Sequence, residues 1–389
     1  MINWQIKYKF LKFQVLIIFL YLISNGVFAQ ILVGAELTSE YFPELKGKNV
    51  AIVANQTSLV GNTHLVDTLI VSGICVKKIF CPEHGFRGTA DAGKAIQTSK
   101  DTKTGLPIIS LYGKNKKPYP ADLQGIDIIV FDIQDVGVRF YTYISTLHYV
   151  MEACAENHIP LLVLDRPNPN AHYIDGPVLK TKCRSFVGMH PVPVVYGMTI
   201  AEYALMINGE GWLAKGIKCD LQIIQCKNYT HHTKYNLPVK PSPNLPDMRS
   251  VYLYPSLGLF EGTCISIGRG TNFPFQVTGH PFIDSALFSF VPKSKQGAKN
   301  PMFENKKCYG FDLRQSTDTT FTLSYLIKMY KLFPKKEVFF NSFFQQLAGT
   351  DELIPQIKAG KSDSEIKATW QPELSKFKEI RRKYLIYDE

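Results

Sequence analysis

From residue 49 onward, short apolar runs alternate with amphipathic stretches. The runs at 50–54, 76–80 (broken by Lys77 and Lys78), 106–111, 126–131 (broken by Asp127), 159–164 and 219–225 read as strands. Between them, 64–71 and 143–157 read as helices, the second with apolar residues at 144, 147, 150, 151 and 154, close to a 3.6-residue period. Thr199-Ile200-Ala201-Glu202 has the form of a capping box and opens a helix to about residue 208. Strands alternating with helices predict an α/β fold, a Rossmann-like parallel-sheet N-terminal domain. In such sheets ligands sit outside the carboxyl ends of the strands. The polar clusters follow that rule: Asn55 to Thr57, Glu83 to Arg87, Asp132 to Arg139 and Asp165 to Asn168 each follow an apolar run.

Residues 227–250 are polar and carry Pro238, Pro241, Pro243 and Pro246. They divide the chain into 30–240 and a smaller α+β C-terminal domain, 241–389. The latter opens with a glycine-rich, charged segment holding Glu261 and Arg269, a second set of candidate site loops. Helices are expected near 322–330, 337–347 and 363–376, the last broken by Pro372. No Gly-x-Gly-x-x-Gly follows the first strand and no P-loop is present, so the sheet is expected to work without a nucleotide.

Residues 1–29 carry Lys7, Lys9 and Lys12, an apolar run and Val27-Phe28-Ala29 before Gln30. That is the form of a secretory signal peptide, which makes the mature chain exported and leaves no segment for stable membrane insertion after cleavage. Its removal takes the formal charge from +11 to +8. A basic exported protein suits an anionic partner such as cell-wall polymer. No reading motif for nucleic acid accompanies the charge, so no nucleic-acid partner is expected. Eight cysteines show no zinc-type spacing. Mostly free, buried thiols are expected, although export permits Cys219–Cys226 or Cys75–Cys81 pairs.

Glycoside hydrolysis uses two carboxylates, one acid and one base or nucleophile. Glu83 is the acid candidate, because a strand end in an apolar setting suits a carboxyl that must hold a proton. Asp132, Asp135 and Glu261 compete for the second role. Arg139 and Arg269 offer guanidinium forks for a substrate carboxylate. Three other readings fit less well. A metal on His84, Asp132 and Asp135 lacks His-x-x-x-His spacing. The segment around Ser266 lacks the first glycine of a nucleophile elbow. A non-catalytic saccharide-binding protein would need no carboxylate pair.

Several segments taken together go further. They are Pro82-Glu83-His84-Gly85-Phe86-Arg87-Gly88, Phe131-Asp132-Ile133-Gln134-Asp135-Val136-Gly137-Val138-Arg139, Leu164-Asp165-Arg166-Pro167-Asn168-Pro169, Tyr196-Gly197-Met198-Thr199, Ser242-Pro243-Asn244-Leu245-Pro246 and Phe260-Glu261-Gly262-Thr263 with Arg269. The set resembles the exo-β-N-acetylmuramidase (NamZ) family, formerly a domain of unknown function, from about residue 32 to the C-terminus. The resemblance implies an active site on the Rossmann-like domain, with the smaller domain closing a cleft against it. It implies release of N-acetylmuramic acid from the non-reducing end of peptidoglycan-derived muramyl saccharides, without a cofactor, in a periplasmic or secreted protein of cell-wall turnover. It makes Glu83 the leading catalytic residue. The motif residues His84, Arg87, Gln134, Arg139, Asp165, Arg166, Asn168, Asn244 and Arg269 become candidate substrate contacts. Arg139 or Arg269 would read the lactyl carboxylate that muramic acid has and N-acetylglucosamine lacks. One departure is visible: Tyr196 stands where relatives tend to have His.

Overall fold

The computed structural model describes residues 30–83, 85–86 and 99–389. The expected signal peptide, His84 and Arg87 lie outside the described residues. Seven strands form the main sheet: β1 (Asn49–Ala54), β2 (Cys75–Cys81), β3 (Ser99–Lys100), β4 (Pro107–Ser110), β5 (Ile128–Asp132), β6 (Leu161–Leu164) and β7 (Leu221–Ile224). Their order is β3-β4-β2-β1-β5-β6-β7, parallel throughout except for the short edge strand β3. The six expected strands are all present, with ends within two residues of those read from the apolar runs.

Alternation of side chains along each strand sends successive residues to opposite faces. Ala51, Val53, Ile129, Phe131, Leu161 and Val163 pack under α3 (Tyr143–Glu156) and α4 (Ile200–Gly209). Val50, Ile52, Ala54, Ile128, Val130, Leu162 and Leu164 face α1 (Thr38–Leu45) and α2 (Leu65–Val71). With both faces covered, β5 and β6 are buried at every position, which is why they read as continuous apolar runs. Strands β2 and β4 build outward from β1 on one side, with β3 added at the edge, and β6 and β7 build outward from β5 on the other. The order therefore reverses between β1 and β5, the place where such sheets open a crevice.

The C-terminal part begins with α5 (Met248–Leu257) and a three-stranded antiparallel sheet of β8 (Val277–His280), β9 (Phe288–Phe290) and a central β10 (Cys308–Asp312). Four helices follow: α6 (Ser324–Leu332), α7 (Phe344–Ala348), α8 (Leu353–Lys358) and α9 (Asp363–Arg382). Two expectations are corrected here. No single helix spans 337–347, because the backbone there pairs with the 262–264 segment: Cys264 N donates to Phe339 O and Asn341 N to Gly262 O. Helix α9 does not break at Pro372. That proline lies on the exposed face, while Ile366, Trp370, Leu374, Phe377 and Arg381 form a buried stripe at helical spacing that holds the helix through the one lost backbone bond.

Helix α9 and the tail return to the parallel sheet. Lys367 and Trp370 reach Asp175, and Arg381 donates to Gly197 O and to His231 Nδ1. His231 Nε2 then donates to Glu202, which also closes the capping box at Thr199 and accepts from Ile386 N. All eight cysteines are unbridged, six of them buried. Among the described residues no helix is long and apolar enough to cross a membrane.

Arg139 joins the two parts of the chain. Its guanidinium is fully buried and donates to four carbonyls, those of Pro177, Val192, Leu347 and Ala348, at 2.7–2.9 Å. An acceptor left buried without a donor costs about 1–3 kcal/mol. Arg139→Met is therefore expected to lower unfolding stability by at least about 3 kcal/mol, read from the denaturant midpoint. A loss under about 1 kcal/mol would remove the residue from this role.

Candidate functional site

The strand ends at the switch point are occupied by one another. Thr57 Oγ1 donates to Asn55 Oδ1 at 2.6 Å and accepts from Gln134 N at 3.0 Å. Ser58 donates to Asp132 O. The Asp132 carboxylate, completely buried, pairs with Arg166 through Nε at 2.5 Å and Nη2 at 2.9 Å, and Arg166 Nη2 also donates to Leu59 O. Gln134 Nε2 donates to Asp135 O and Pro167 O. Asn168 bridges Met198 O and Asn170 N, and its amide sits where any side chain at residue 137 would go. A Cβ at Gly137 (φ +74°) would stand 2.3 Å from Asn168 Oδ1.

Two carboxyls in this layer are shifted. Asp165 accepts from Ala201 N and Tyr387 Oη, yet burial pushes its carboxyl up to about 7. Asp135 accepts from Gly137 N at 2.6 Å and from Tyr196, its Oδ1 has no partner, and burial pushes it up to about 6. Tyr196 thus occupies its position as a donor to a buried acid.

The open cleft lies one layer above, with a volume of about 820 Å³. Asn55 Nδ2 donates to Tyr143 Oη at 3.0 Å, and Tyr141 Oη donates to Pro241 O, so the two phenols form a floor over the filled crevice. Glu83 stands at the end of β2, half-buried, with Thr142 Oγ1 3.5 Å from its Oε2 and the Tyr112 hydroxyl as a further hydrogen-bond donor. Burial first, then the Glu83 and Glu261 carboxylates, push the Tyr112 phenol up. The cleft is also lined by Glu261, which pairs with Arg269 Nη2 at 2.6 Å. The Arg269 guanidinium lies 5.1 Å from the centre of the Phe275 ring. Burial disfavours its charge, and the Glu261 carboxylate more than offsets that.

The structure thus separates the expected site residues into two layers. Glu83, Glu261, Asn244 and Arg269 line the cleft. Asp132, Asp135, Gln134, Arg139, Asp165, Arg166 and Asn168 are in the core, their polar groups, apart from Asp135 Oδ1 and Arg139 Nε, directed to other protein groups, and none of them lines the cleft. His84 and Arg87 lie outside the described residues. Sequence reasoning passed over Tyr112 and Thr142. Tyr112 ends the 106–111 run and follows the same strand-end rule as Glu83, so that signal was present. Phe186 and Met302 reach the cleft on loops with no local pattern to mark them, whereas Ser242 comes from the Ser242–Pro246 segment singled out above. Among the described residues no group of three His, Cys, Asp or Glu side chains is placed to hold a metal. Ser266 is buried, its hydroxyl accepting from Gly268 N.

Comparison with known proteins identifies the family. A family model described as exo-beta-N-acetylmuramidase NamZ, N-terminal, matches residues 50–249, and its C-terminal counterpart matches 252–387. The peptidoglycan beta-N-acetylmuramidase NamZ of Bacillus subtilis (strain 168) is 40% identical over 377 residues, covering 90% of each chain. Two crystal structures of DUF1343 family proteins from Bacteroides fragilis NCTC 9343 are similar. One is 48% identical with a TM-score of 0.87, covering 93% of this chain and all of its own. The other is 28% identical with a TM-score of 0.79, covering 92% of this chain and 99% of its own.

The raised Asp135 carboxyl has a measurable sign. Its folded value, about 6, exceeds the ordinary carboxyl value of 3.8, so between about pH 4 and 6 the native state holds a proton that the unfolded chain releases. Its contribution is present in acid and is lost as pH rises through about 6, by roughly 3 kcal/mol for a shift of this size. Asp135→Asn keeps an acceptor for Gly137 N and Tyr196 and removes the titration. Relative to wild type, its stability should therefore rise between about pH 4 and pH 6 and level off above; a parallel pH profile for the two proteins would contradict this.

Proposed function

The chain belongs to the exo-β-N-acetylmuramidase (NamZ) family of glycoside hydrolases, and we propose that it removes N-acetylmuramic acid from the non-reducing ends of peptidoglycan fragments during cell-wall turnover. The observation that carries this reading is the position of Glu83, at a strand end on the cleft wall, with Tyr112 and Thr142 hydrogen-bonded to it and the Glu261–Arg269 pair in the same cleft.

In this reading Glu83 donates its proton to the glycosidic oxygen as the bond to the leaving sugar breaks. The two neighbouring hydroxyls fix its orientation toward the cleft. Among the described residues Glu261 is the other carboxylate there, paired with Arg269, and serves as the base or nucleophile that the reaction requires. The partly exposed aromatic lining, Tyr112, Phe186 and Phe343, supplies apolar faces for a pyranose ring. Among the described residues Arg269 is the arginine that lines the cleft, and it is the candidate for reading the lactyl carboxylate. The reading includes export to the periplasm, supported by the basic head and apolar run of residues 1–29.

The test compares wild type with Glu83→Gln on two substrates, a muramyl–glucosamine disaccharide and a chromogenic β-N-acetylmuramide, with the corresponding glucosaminide as control. Loss of a general acid lowers turnover by about 10²–10⁴-fold. The loss should be greater on the disaccharide, whose sugar leaving group needs the proton, than on the chromogenic substrate, whose phenolate leaves without it. Full turnover of the disaccharide by the variant would remove Glu83 from the mechanism. A folded wild type that cleaves neither muramide would make the protein a saccharide binder.

A further inference from the structure

Two of the eight cysteines meet inside the parallel-sheet part of the chain. Cys154 lies in the last turn of α3, and its carbonyl accepts from Ile159 N at 3.0 Å as the chain turns into β6. Cys219 lies two residues ahead of Leu221, the first residue of β7. Strands β6 and β7 pair in parallel, Leu161 against Leu221, and Leu161 N donates to Asp220 O at 2.8 Å. Side chains two apart on a strand share a face. Cys219 therefore points with Leu161 to the face that α3 and α4 cover, and both cysteines are buried in that core. There the Cys219 thiol is the hydrogen-bonding neighbour of the Cys154 thiol.

Both positions are held from outside the pair. Asn208, near the end of α4, donates from Nδ2 to Cys219 O at 2.8 Å and accepts from Cys219 N at 2.9 Å. Asn157 caps α3 and returns its side chain to Ala153 O at 2.8 Å. The two pairings that spacing along the chain suggests fail on geometry. Cys75 and Cys81 are the first and last residues of β2, and Cys219 and Cys226 flank β7, so the members of each pair stand roughly 20 Å apart. A disulfide needs Cα atoms within about 7 Å.

Burial first, then the Cys219 sulfur, push the Cys154 thiol well above its ordinary range, so it carries little thiolate once α3 has packed. Thiol–disulfide exchange at this pair therefore belongs to the folding chain, before the helix covers the sheet.

We propose that Cys154 and Cys219 become a disulfide when the chain folds outside the reducing cytoplasm. The inference rests on the export reading of residues 1–29, since disulfides persist in oxidising compartments. The oxidant is itself a disulfide, of a small molecule or of an oxidoreductase. One cysteine, as thiolate, attacks it and forms a mixed disulfide, releasing one thiol. The other cysteine attacks the protein sulfur of that bond, which closes the Cys154–Cys219 link and releases the second thiol. Two electrons and two protons pass from the protein thiols to the two sulfurs of the oxidant. The link clamps the end of α3, the helix that begins at the cleft floor with Tyr143, to the start of β7.

Mass spectrometry tests this without substitutions. The full chain is produced with its leader, recovered from outside the cytoplasm and denatured in excess maleimide without reductant. All but two of the eight cysteines should be labelled, and all of them only after reduction. Peptide mapping should join the peptides of Cys154 and Cys219. The same chain, reduced, unfolded and refolded with oxidised glutathione, should form the same link. Its thermal midpoint should lie about 5 °C above that of the protein refolded in reductant, the size expected for closing a long loop in a chain of this length. Cys219→Ala should abolish that difference. Complete labelling of the exported protein before reduction, or a link through other cysteines, would overturn the proposal. A leader-bearing chain that stays in the cytoplasm, while the link still forms on refolding with oxidised glutathione, would overturn the export reading and leave the pair as assigned.

Discussion

Polar groups at the ends of a sheet buried on both faces must find partners within the protein, and that requirement shapes the rest of this molecule. At the switch point the strands deliver Asp132, Asp135 and Asp165 into a layer with little water, where an unpaired charge is costly. Arg166 neutralises Asp132 with a two-pronged pair. Asp135 and Asp165 accept from backbone amides and phenols and hold their protons to higher pH. Once these groups are satisfied the crevice is full. The accessible chemistry is displaced one layer outward, onto Tyr141 and Tyr143 as a floor and onto loop carboxylates as walls. A fold that in other settings opens its crevice to a nucleotide here closes it with side chains.

A cleft built from loops needs its two walls held at a fixed spacing. Arg139 provides part of that, since its four carbonyl partners come from both parts of the chain. The long terminal helix provides more, through Asp175 at one end and the Glu202–His231–Arg381 run at the other. In the second case a capping-box glutamate, a histidine and a buried arginine satisfy one another, so the helix N-terminus of α4 and the chain terminus share a single network. None of these contacting side chains lines the cleft, and together they tie the C-terminal part of the chain to the parallel-sheet part.

Much of the fold was legible from the chain because parallel strands covered on both faces leave an unambiguous trace, the short apolar run ending in a polar cluster. The six strand positions and α3 follow from that trace. Two helices were misjudged for reasons outside their own sequence: residues 339–341 pair with a distant backbone, and the stripe from Ile366 to Arg381 overrides Pro372. The site was legible only in part. The strand-end rule brought forward Glu83 correctly as a cleft residue, but it brought forward Asp132, Asp165 and Arg139 with equal force. Whether a strand-end polar residue faces a ligand or a neighbouring strand end depends on what the adjacent strands carry, and no single segment contains that information. Tyr112 followed the same rule at a less charged strand end and was passed over.

The balance of charge in the cleft bears on how such an enzyme handles an anionic sugar. Glu83 and Glu261 are met there by Arg269 and Lys299, so the described lining carries as many cations as carboxylates. Arg269 stands 2.6 Å from Glu261 and lies against the Phe275 ring, which fixes the guanidinium in the same wall as the second carboxylate. A charged group held in this way can bind a sugar at a point away from the reacting bond, and binding gathered there can be spent on holding that bond in place.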